Sequence, residues 1–300
     1  MAKIGFIGLG NMGLPMAANL VKAGYRVCGF DISSDRRELA AAAAVEIAED
    51  ITGVARGVDA VITMLNNGHT VLEIWDTIAP LLGPGCLLID SSTIDIVSSR
   101  KAHALSASMG LLSLDAPVSG GTEGAAGASL TFMVGGSEEA FNAGQQLLSS
   151  MGRRVIFCGG AGAGVAAKIC NNMLLGVSMV AVSETFLLAE TLGLSPQSLF
   201  DVASTSSGQC YALTTHCPIP GPVPSSAANC DYRPGFAAEL MLKDLLLSQE
   251  CARSSGAPTL LGATATQLYD HFVNEGGRGF DYAAIIRFLG RNRHEVAAAP

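Results

Sequence analysis

A chain of 300 residues with 49% hydrophobic and 15% charged side chains can bury a sizeable core and has room for about two domains. Its net charge of −8 argues against a surface built for nucleic acid, because phosphate contacts require clustered Lys and Arg, and small molecules are the expected partners. The eight cysteines form no C-x-x-C pair and have no His at ligand spacing, so they read as packing residues without a metal. With Met1-Ala2-Lys3 running straight into an apolar strand, no secretory signal is expected and the location reads as cytoplasmic.

In chain order, β-type runs are expected at Lys3 to Ile7, Arg26 to Phe30, Ala60 to Met64, Cys86 to Ile89, Leu111 to Leu114, Leu130 to Val134 and Val155 to Phe157. Helical spacing falls between them at Met12 to Ala23, Thr70 to Leu82, Ile94 to Met109 and Ser137 to Met151. This alternation predicts an α/β fold with an N-terminal Rossmann-type, doubly wound parallel sheet over residues 1–163. The Ala40 to Ala44 run is a low-complexity patch in a helix-compatible region.

From 164 to 300 no strand is apparent, and the pattern predicts an all-α domain for substrate binding and oligomerisation. It opens with a long interdomain helix from about Val165 to Leu192. Further helices are expected near Pro196 to Ser204, Phe236 to Ser254, Thr259 to Asn274 and Tyr282 to Leu289. Met173 to Ala189 is strongly apolar, but Ser178, Ser183, Glu184 and Thr185 interrupt it short of the roughly 20 residues a membrane span needs, so a buried helix and no membrane are expected. Its small residues Gly176, Ser178 and Ala181 fit burial against both domains or against a partner subunit, and a homodimer or homotetramer is expected. Five prolines between Cys217 and Pro234 rule out helix interior and leave an ordered irregular loop or a linker.

Gly8-Leu9-Gly10-Asn11-Met12-Gly13 follows an apolar strand and opens a helix, the context in which a G-x-G-x-x-G turn binds a dinucleotide. The free N–H groups and positive dipole end of that helix suit a pyrophosphate. Asp31 closes the second strand, where a carboxylate accepts from the adenosine ribose hydroxyls and repels a 2′-phosphate, which favours NAD over NADP. Arg36 and Arg37 stand close enough to offer a phosphate the opposite preference.

Lys168 lies near the start of the long helix, with Asn171 and Asn172 three and four residues on and so on one face. Such a lysine can act as a general base when burial or a neighbouring positive charge favours its neutral form; otherwise it is a lysine reaching from an apolar helix to solvent. Asp115-Ala116-Pro117-Val118-Ser119-Gly120-Gly121 follows a strand at the ligand-facing end of a parallel sheet, where Ser119 and the N–H groups of Gly120 and Gly121 suit a carboxylate, or form a simple loop. Ser91-Ser92-Thr93 can touch a nicotinamide ribose or cap the following helix. Lys243-Asp244 interrupts an apolar helix, either to reach a cofactor or to make an ion pair.

At these residues the sequence resembles the 3-hydroxyisobutyrate dehydrogenases of the wider β-hydroxyacid dehydrogenase family. The resemblance rests on Gly5 to Gly13, Asp115 to Gly121, Leu130 to Gly136, Ala167 to Leu175 and Lys243-Asp244-Leu245, and it runs nearly end to end. It implies an NAD-dependent oxidation of a small 3-hydroxy acid, with Lys168 as acid–base, Asn172 orienting substrate, and Ser119, Gly120 and Gly121 holding the substrate carboxylate. It also implies that Leu65, Asn66, Thr70, Thr93 and Lys243 join Gly8, Leu9, Gly10, Asn11, Met12, Gly13 and Asp31 at the cofactor.

The blocks Ser206 to Tyr211, Pro218 to Gly221 and Pro224 to Ser226 resemble substrate-domain loops of the hydroxyisobutyrate branch, implying 3-hydroxyisobutyrate as substrate and methylmalonate semialdehyde as product in valine breakdown. Two departures stand out: Asn66 where the family usually has proline, and Gln209 where arginine or glycine is common. They bear on the cofactor loop and on substrate choice. Alternatives are a reductase of tartronate or succinic semialdehyde, a dehydrogenase of serine-like 3-hydroxy acids, or a catalytically silent dinucleotide-binding module, against which Lys168 and Asn172 speak.

Overall fold

A computed structural model describes residues 2–291. The chain forms two compact units, Met1–Lys168 and Ile169–Pro300.

In the first unit, β1 (Lys3–Ile7), β2 (Arg26–Phe30), β3 (Glu46–Ile47), β4 (Ala60–Thr63), β5 (Leu87–Asp90), β6 (Leu112–Asp115), β7 (Val118–Ser119), β8 (Leu130–Gly136) and β9 (Gly152–Gly159) form one sheet. The order is β3-β2-β1-β4-β5-β6-β8-β7, with β9 paired to β8. Strand order reverses beside β1, the arrangement that leaves a crevice at the carboxyl ends of the strands. Helices α1 (Gly13–Lys22), α2 (Ser34–Ala42), α3 (Ile51–Val54), α4 (Gly68–Ile78), α5 (Ile96–Ser108), α6 (Gly121–Ala126) and α7 (Glu138–Ser149) punctuate the strands. Ile4, Phe6, Ile62, Ile89, Leu114 and Phe132 build the core with Met16 and Leu20 of α1. Strands buried on both faces explain the nearly continuous apolar runs seen in the sequence.

The expected all-parallel sheet is corrected at one side: β8 runs antiparallel to β6 and β7. The short connection through α6 suffices because antiparallel neighbours need no long crossover. A second correction concerns α5, which begins at Ile96 rather than Ile94. Its cap is Asp95, whose side chain accepts from Ser98 N–H at 2.7 Å, so Ser91-Ser92-Thr93 is not the cap.

The second unit contains, among the described residues, no strand, only an isolated bridge between Ala237 and Asp281. Helix α8 (Ala163–Thr191) begins in the first unit and is followed by α9 (Pro196–Ser204), α10 (Tyr211–Thr214), α11 (Ala238–Ser255), α12 (Leu260–Phe272) and α13 (Ile285–Arg291). Met179, Phe186, Met241, Leu245, Tyr269, Phe272 and Tyr282 form this unit's core. The whole of α8 is long and apolar enough to cross a membrane by length and composition alone, and 44% of its most apolar window is buried, with Leu174 and Leu188 exposed.

The proline-rich segment is an ordered loop, not a linker. Tyr232 Oη donates to Pro218 O at 2.6 Å, Ser226 Oγ to Cys217 O at 2.5 Å, and Asn229 Nδ2 to Val223 O at 2.8 Å. Buried Asp281 closes it by accepting from Gly235 N–H, Phe236 N–H and His216 Nε2. The cysteines only partly match a packing role: Cys28, Cys86 and Cys217 are buried, whereas Cys170 and Cys230 are exposed, and all eight are free thiols.

Candidate active site

The glycine turn joins β1 to α1. Gly8 has φ +94°, and a Cβ there would collide with the Met64 carbonyl, while one on Gly13 would collide with the Gly8 carbonyl. Glycine is therefore required at both positions for the chain to turn and for α1 to pack on the strand. A Cβ on Gly10 would meet nothing within 4 Å. That open approach to backbone, at a helix whose start is not capped by a side chain, fits a dinucleotide pyrophosphate.

Asp31 follows β2 and grips the same turn, accepting from Leu9 N–H at 2.7 Å and from Ser33 N–H at 2.9 Å. The two arginines that follow are hydrogen-bonded within this same region. Arg36 donates to Asn11 Oδ1 at 2.6 Å, while Arg37 donates to the carbonyls of Asp31 and Ile32 and lies over the Phe30 ring.

The segments after β4 and β5 carry the other expected cofactor residues. Leu65 is half-buried and donates its N–H to Ser92 Oγ at 2.7 Å; Asn66 is exposed. Thr70 lies in the first turn of α4, where its N–H and hydroxyl both donate to Asn67 Oδ1. Thr93 is half-buried and follows directly on Ser92. Beneath them Asp90 is almost fully buried, its Oδ1 accepting from Thr63 Oγ1 at 2.8 Å and Ser92 Oγ at 2.6 Å. Burial pushes the Asp90 carboxyl up to about 6 despite these hydrogen bonds.

Ser119 ends β7, and Gly120 (φ +134°) and Gly121 (φ +62°) turn the chain into α6 with backbone angles that favour glycine. The carboxylate opening that motif, Asp115, has a structural task. Its oxygens accept from Gly162 N–H at 2.9 Å and Val165 N–H at 2.8 Å, where α8 begins, and from His103 Nε2 at 2.8 Å. Gly164 leaves room for it, since a Cβ there would press on Asp115 and on the Met133 carbonyl.

Lys168 lies one and a half turns into α8 and is 8% exposed, so it is not a lysine extended into solvent. Asn172, one turn further, is 2% exposed. In the second unit its Nδ2 donates to Asp244 Oδ2 at 2.5 Å, and its Oδ1 accepts from Asn171 Nδ2 at 3.0 Å. This fixes the amide orientation. Lys243 Nζ stands 3.7 Å from Asp244 Oδ1, so the ion-pair alternative for Lys243-Asp244 is present.

Residues 3–160 match the NAD binding domain of 6-phosphogluconate dehydrogenase, and residues 162–289 match the NAD-binding domain of NADP-dependent 3-hydroxyisobutyrate dehydrogenase. A probable 3-hydroxyisobutyrate dehydrogenase from Mycobacterium bovis is 47% identical over 289 residues, covering 96% of this chain and 98% of the relative. The chain belongs to the 3-hydroxyisobutyrate dehydrogenase family. The human mitochondrial 3-hydroxyisobutyrate dehydrogenase is 42% identical over 95% of this chain and 86% of its own length. The solved Mycobacterium tuberculosis enzyme, bound to L-serine, superposes with a TM-score of 0.93 at 47% identity, covering 96% of this chain and 99% of that one.

The chain is thus an oxidoreductase with a dinucleotide-binding Rossmann domain and an α-helical second domain. Three residues with a part in the site's geometry escaped the sequence reading. Asp90 lies one residue past the expected strand end, Ser92 sits inside a Ser-Ser-Thr block, and Asp244 adjoins Lys243 while its partner Asn172 is 72 residues away. The available signal was a lone acid at a strand end before Ser-Ser-Thr.

Proposed function

We propose that this chain oxidises 3-hydroxyisobutyrate to methylmalonate semialdehyde with NAD, and that Lys168 is its acid–base. The observation that carries this reading is a buried lysine one helical turn before a buried asparagine whose amide is held by Asp244. Lys168 Nζ takes the proton of the substrate hydroxyl as the carbonyl forms. Asn172 has one amide hydrogen engaged by Asp244 and offers the other to the substrate oxygen. Ser119 with the N–H groups of Gly120 and Gly121 holds the substrate carboxylate. Bound NAD would accept the hydride.

For the cofactor, Gly8, Leu9, Gly10, Asn11, Met12 and Gly13 hold the pyrophosphate, and Asp31 selects the unphosphorylated ribose. Leu65, Asn66, Thr70, Thr93 and Lys243 complete the site. The preference for NAD is supported by Arg36 and Arg37, whose guanidinium groups are engaged by Asn11 and by backbone carbonyls. Residues 1–163 serve the cofactor and 164–300 serve substrate and assembly, as a homodimer or homotetramer in which a second copy covers the exposed apolar side of α8. The eight free thiols support a reducing, cytoplasmic setting.

A second reading, a dehydrogenase of serine-like 3-hydroxy acids, is favoured by the L-serine held by the mycobacterial relative. Rates of nicotinamide reduction across 3-hydroxyisobutyrate, L-serine and D-serine separate the two. Lys168→Ala is expected to lower turnover by roughly 10²- to 10⁴-fold while NAD binding measured by calorimetry stays normal. Retention of most activity would remove Lys168 from the chemistry.

A further inference from the structure

Thr63 and Asp90 are register partners at the carboxyl ends of β4 and β5. From them runs a continuous line of hydrogen bonds. Trp75 Nε1 donates to Thr63 Oγ1 at 3.2 Å, Thr63 Oγ1 and Ser92 Oγ both donate to Asp90 Oδ1, and Leu65 N–H donates to Ser92 Oγ. Ser92 N–H adds a longer contact to the same Asp90 oxygen at 3.3 Å. Thr63, Trp75, Asp90 and Ser92 are all buried.

The other oxygen of Asp90 is buried with no hydrogen-bond partner among the described residues. For stability alone this is a poor use of a carboxylate, because burying a half-satisfied charge is unfavourable and an amide oxygen accepts the same donors. What the carboxylate adds is strength, since hydrogen bonds to a charged acceptor are shorter and about twice as strong as neutral ones. Burial raises the carboxyl to about 6 while the Ser92 and Thr63 hydrogen bonds favour its charged form.

We infer that Asp90 is a positioning residue for the dinucleotide: through Ser92 it locks the backbone of Leu65 and the turn leading to Thr93 into one rigid arrangement. The inference rests on the cofactor roles proposed for Leu65, Asn66 and Thr93. It assigns Asp90 no contact with the cofactor and no part in the proton transfer. A site held in its bound arrangement beforehand avoids the ordering entropy that binding otherwise carries.

The test uses the full-length protein and NAD titrated by calorimetry without substrate. Ser92→Ala and Asp90→Ala are expected to raise the Kd for NAD about tenfold, the equivalent of one buried hydrogen bond. Asp90→Asn, which keeps an acceptor oxygen, is expected to restrain the loss to about threefold. In steady state the effect is expected in KM for NAD, with kcat at saturation held within about twofold, as loss of ground-state binding requires.

Trp75 is the only tryptophan, so the emission of the cofactor-free protein reports the far end of the line. Asp90→Ala is expected to shift it, and Ser92→Ala, which leaves Thr63 and Asp90 in place, to leave it unchanged. Folded variants, by circular dichroism, that bind NAD with wild-type affinity overturn the inference, as does unshifted Trp75 emission in Asp90→Ala. A wild-type protein that binds neither NAD nor NADP instead defeats the cofactor reading itself, and this inference with it.

Discussion

Asp90 ends β5 and Asp115 ends β6, and the two are partners in the sheet register. They are equally buried, at 3% and 2% exposure, yet their surroundings differ. Both oxygens of Asp115 are occupied, by His103 and by two backbone N–H groups at the start of α8. Asp90 receives its donors on one oxygen only, and the other is bare. Its carboxyl rises to about 6 chiefly through burial, with the Ser92 and Thr63 hydrogen bonds opposing and the Asp115 charge adding a little. Depth alone therefore does not decide what a buried carboxylate does; the number and placement of its donors do.

The severest way to break this comparison is Asp115→Ala. It leaves the Gly162 and Val165 N–H groups and His103 without their acceptor, and a loss of about 3–5 kcal/mol in urea unfolding is expected. A loss under about 1 kcal/mol would show that those donors readily find other partners. Gly164→Ala tests the space that Asp115 occupies. Its new methyl would crowd the Asp115 carboxylate and the Met133 carbonyl, and a cost of about 1–3 kcal/mol is expected from overpacking.

Asp90 sharpens the contrast through pH. A carboxyl raised from 3.8 to about 6 by folding binds its proton more tightly in the folded state. Its contribution to stability is full below pH of about 4 and is lost as pH rises through about 6. The melting temperature of Asp90→Asn, measured against wild type at pH 4.5 and pH 8, is therefore expected to show the larger deficit at the lower pH. A deficit independent of pH would mean that folding does not shift this group.

The smallest effect is expected at Ser91, between the two arms of the network. Its hydroxyl is buried and unpartnered, so Ser91→Ala is expected to be neutral or to stabilise by up to about 1 kcal/mol. A clear destabilisation by chemical denaturation would place an additional donor or acceptor at that oxygen.

Much of the scaffold was legible because it depends on local needs. Gly8 and Gly13 recur where a Cβ has no room and Gly10 where the backbone lies open, the steric pattern that a G-x-G-x-x-G turn requires. The long helices were placed within a few residues by their apolar spacing. The short elements α6 and β7, and the antiparallel direction of β8, were not legible, because a two-residue strand carries no period and direction is set by the partner strand. The start of α5 was missed although Asp95 is a strong capping residue three positions before Ser98, because Ser91-Ser92-Thr93 offered competing caps.

By itself the sequence determined the order of the longer elements, the glycine turn and the family motifs, since each arises from residues close together in the chain. Only the tertiary structure decided which acids work as hubs. The two backbone donors that Asp115 gathers lie 47 and 50 residues away, Ser92 accepts from a residue 27 positions earlier, and Asp244 fixes an asparagine 72 positions before it. A hydrogen bond requires atoms about 3 Å apart, and for residues so distant in the chain that proximity exists only once the sheet and helices have packed.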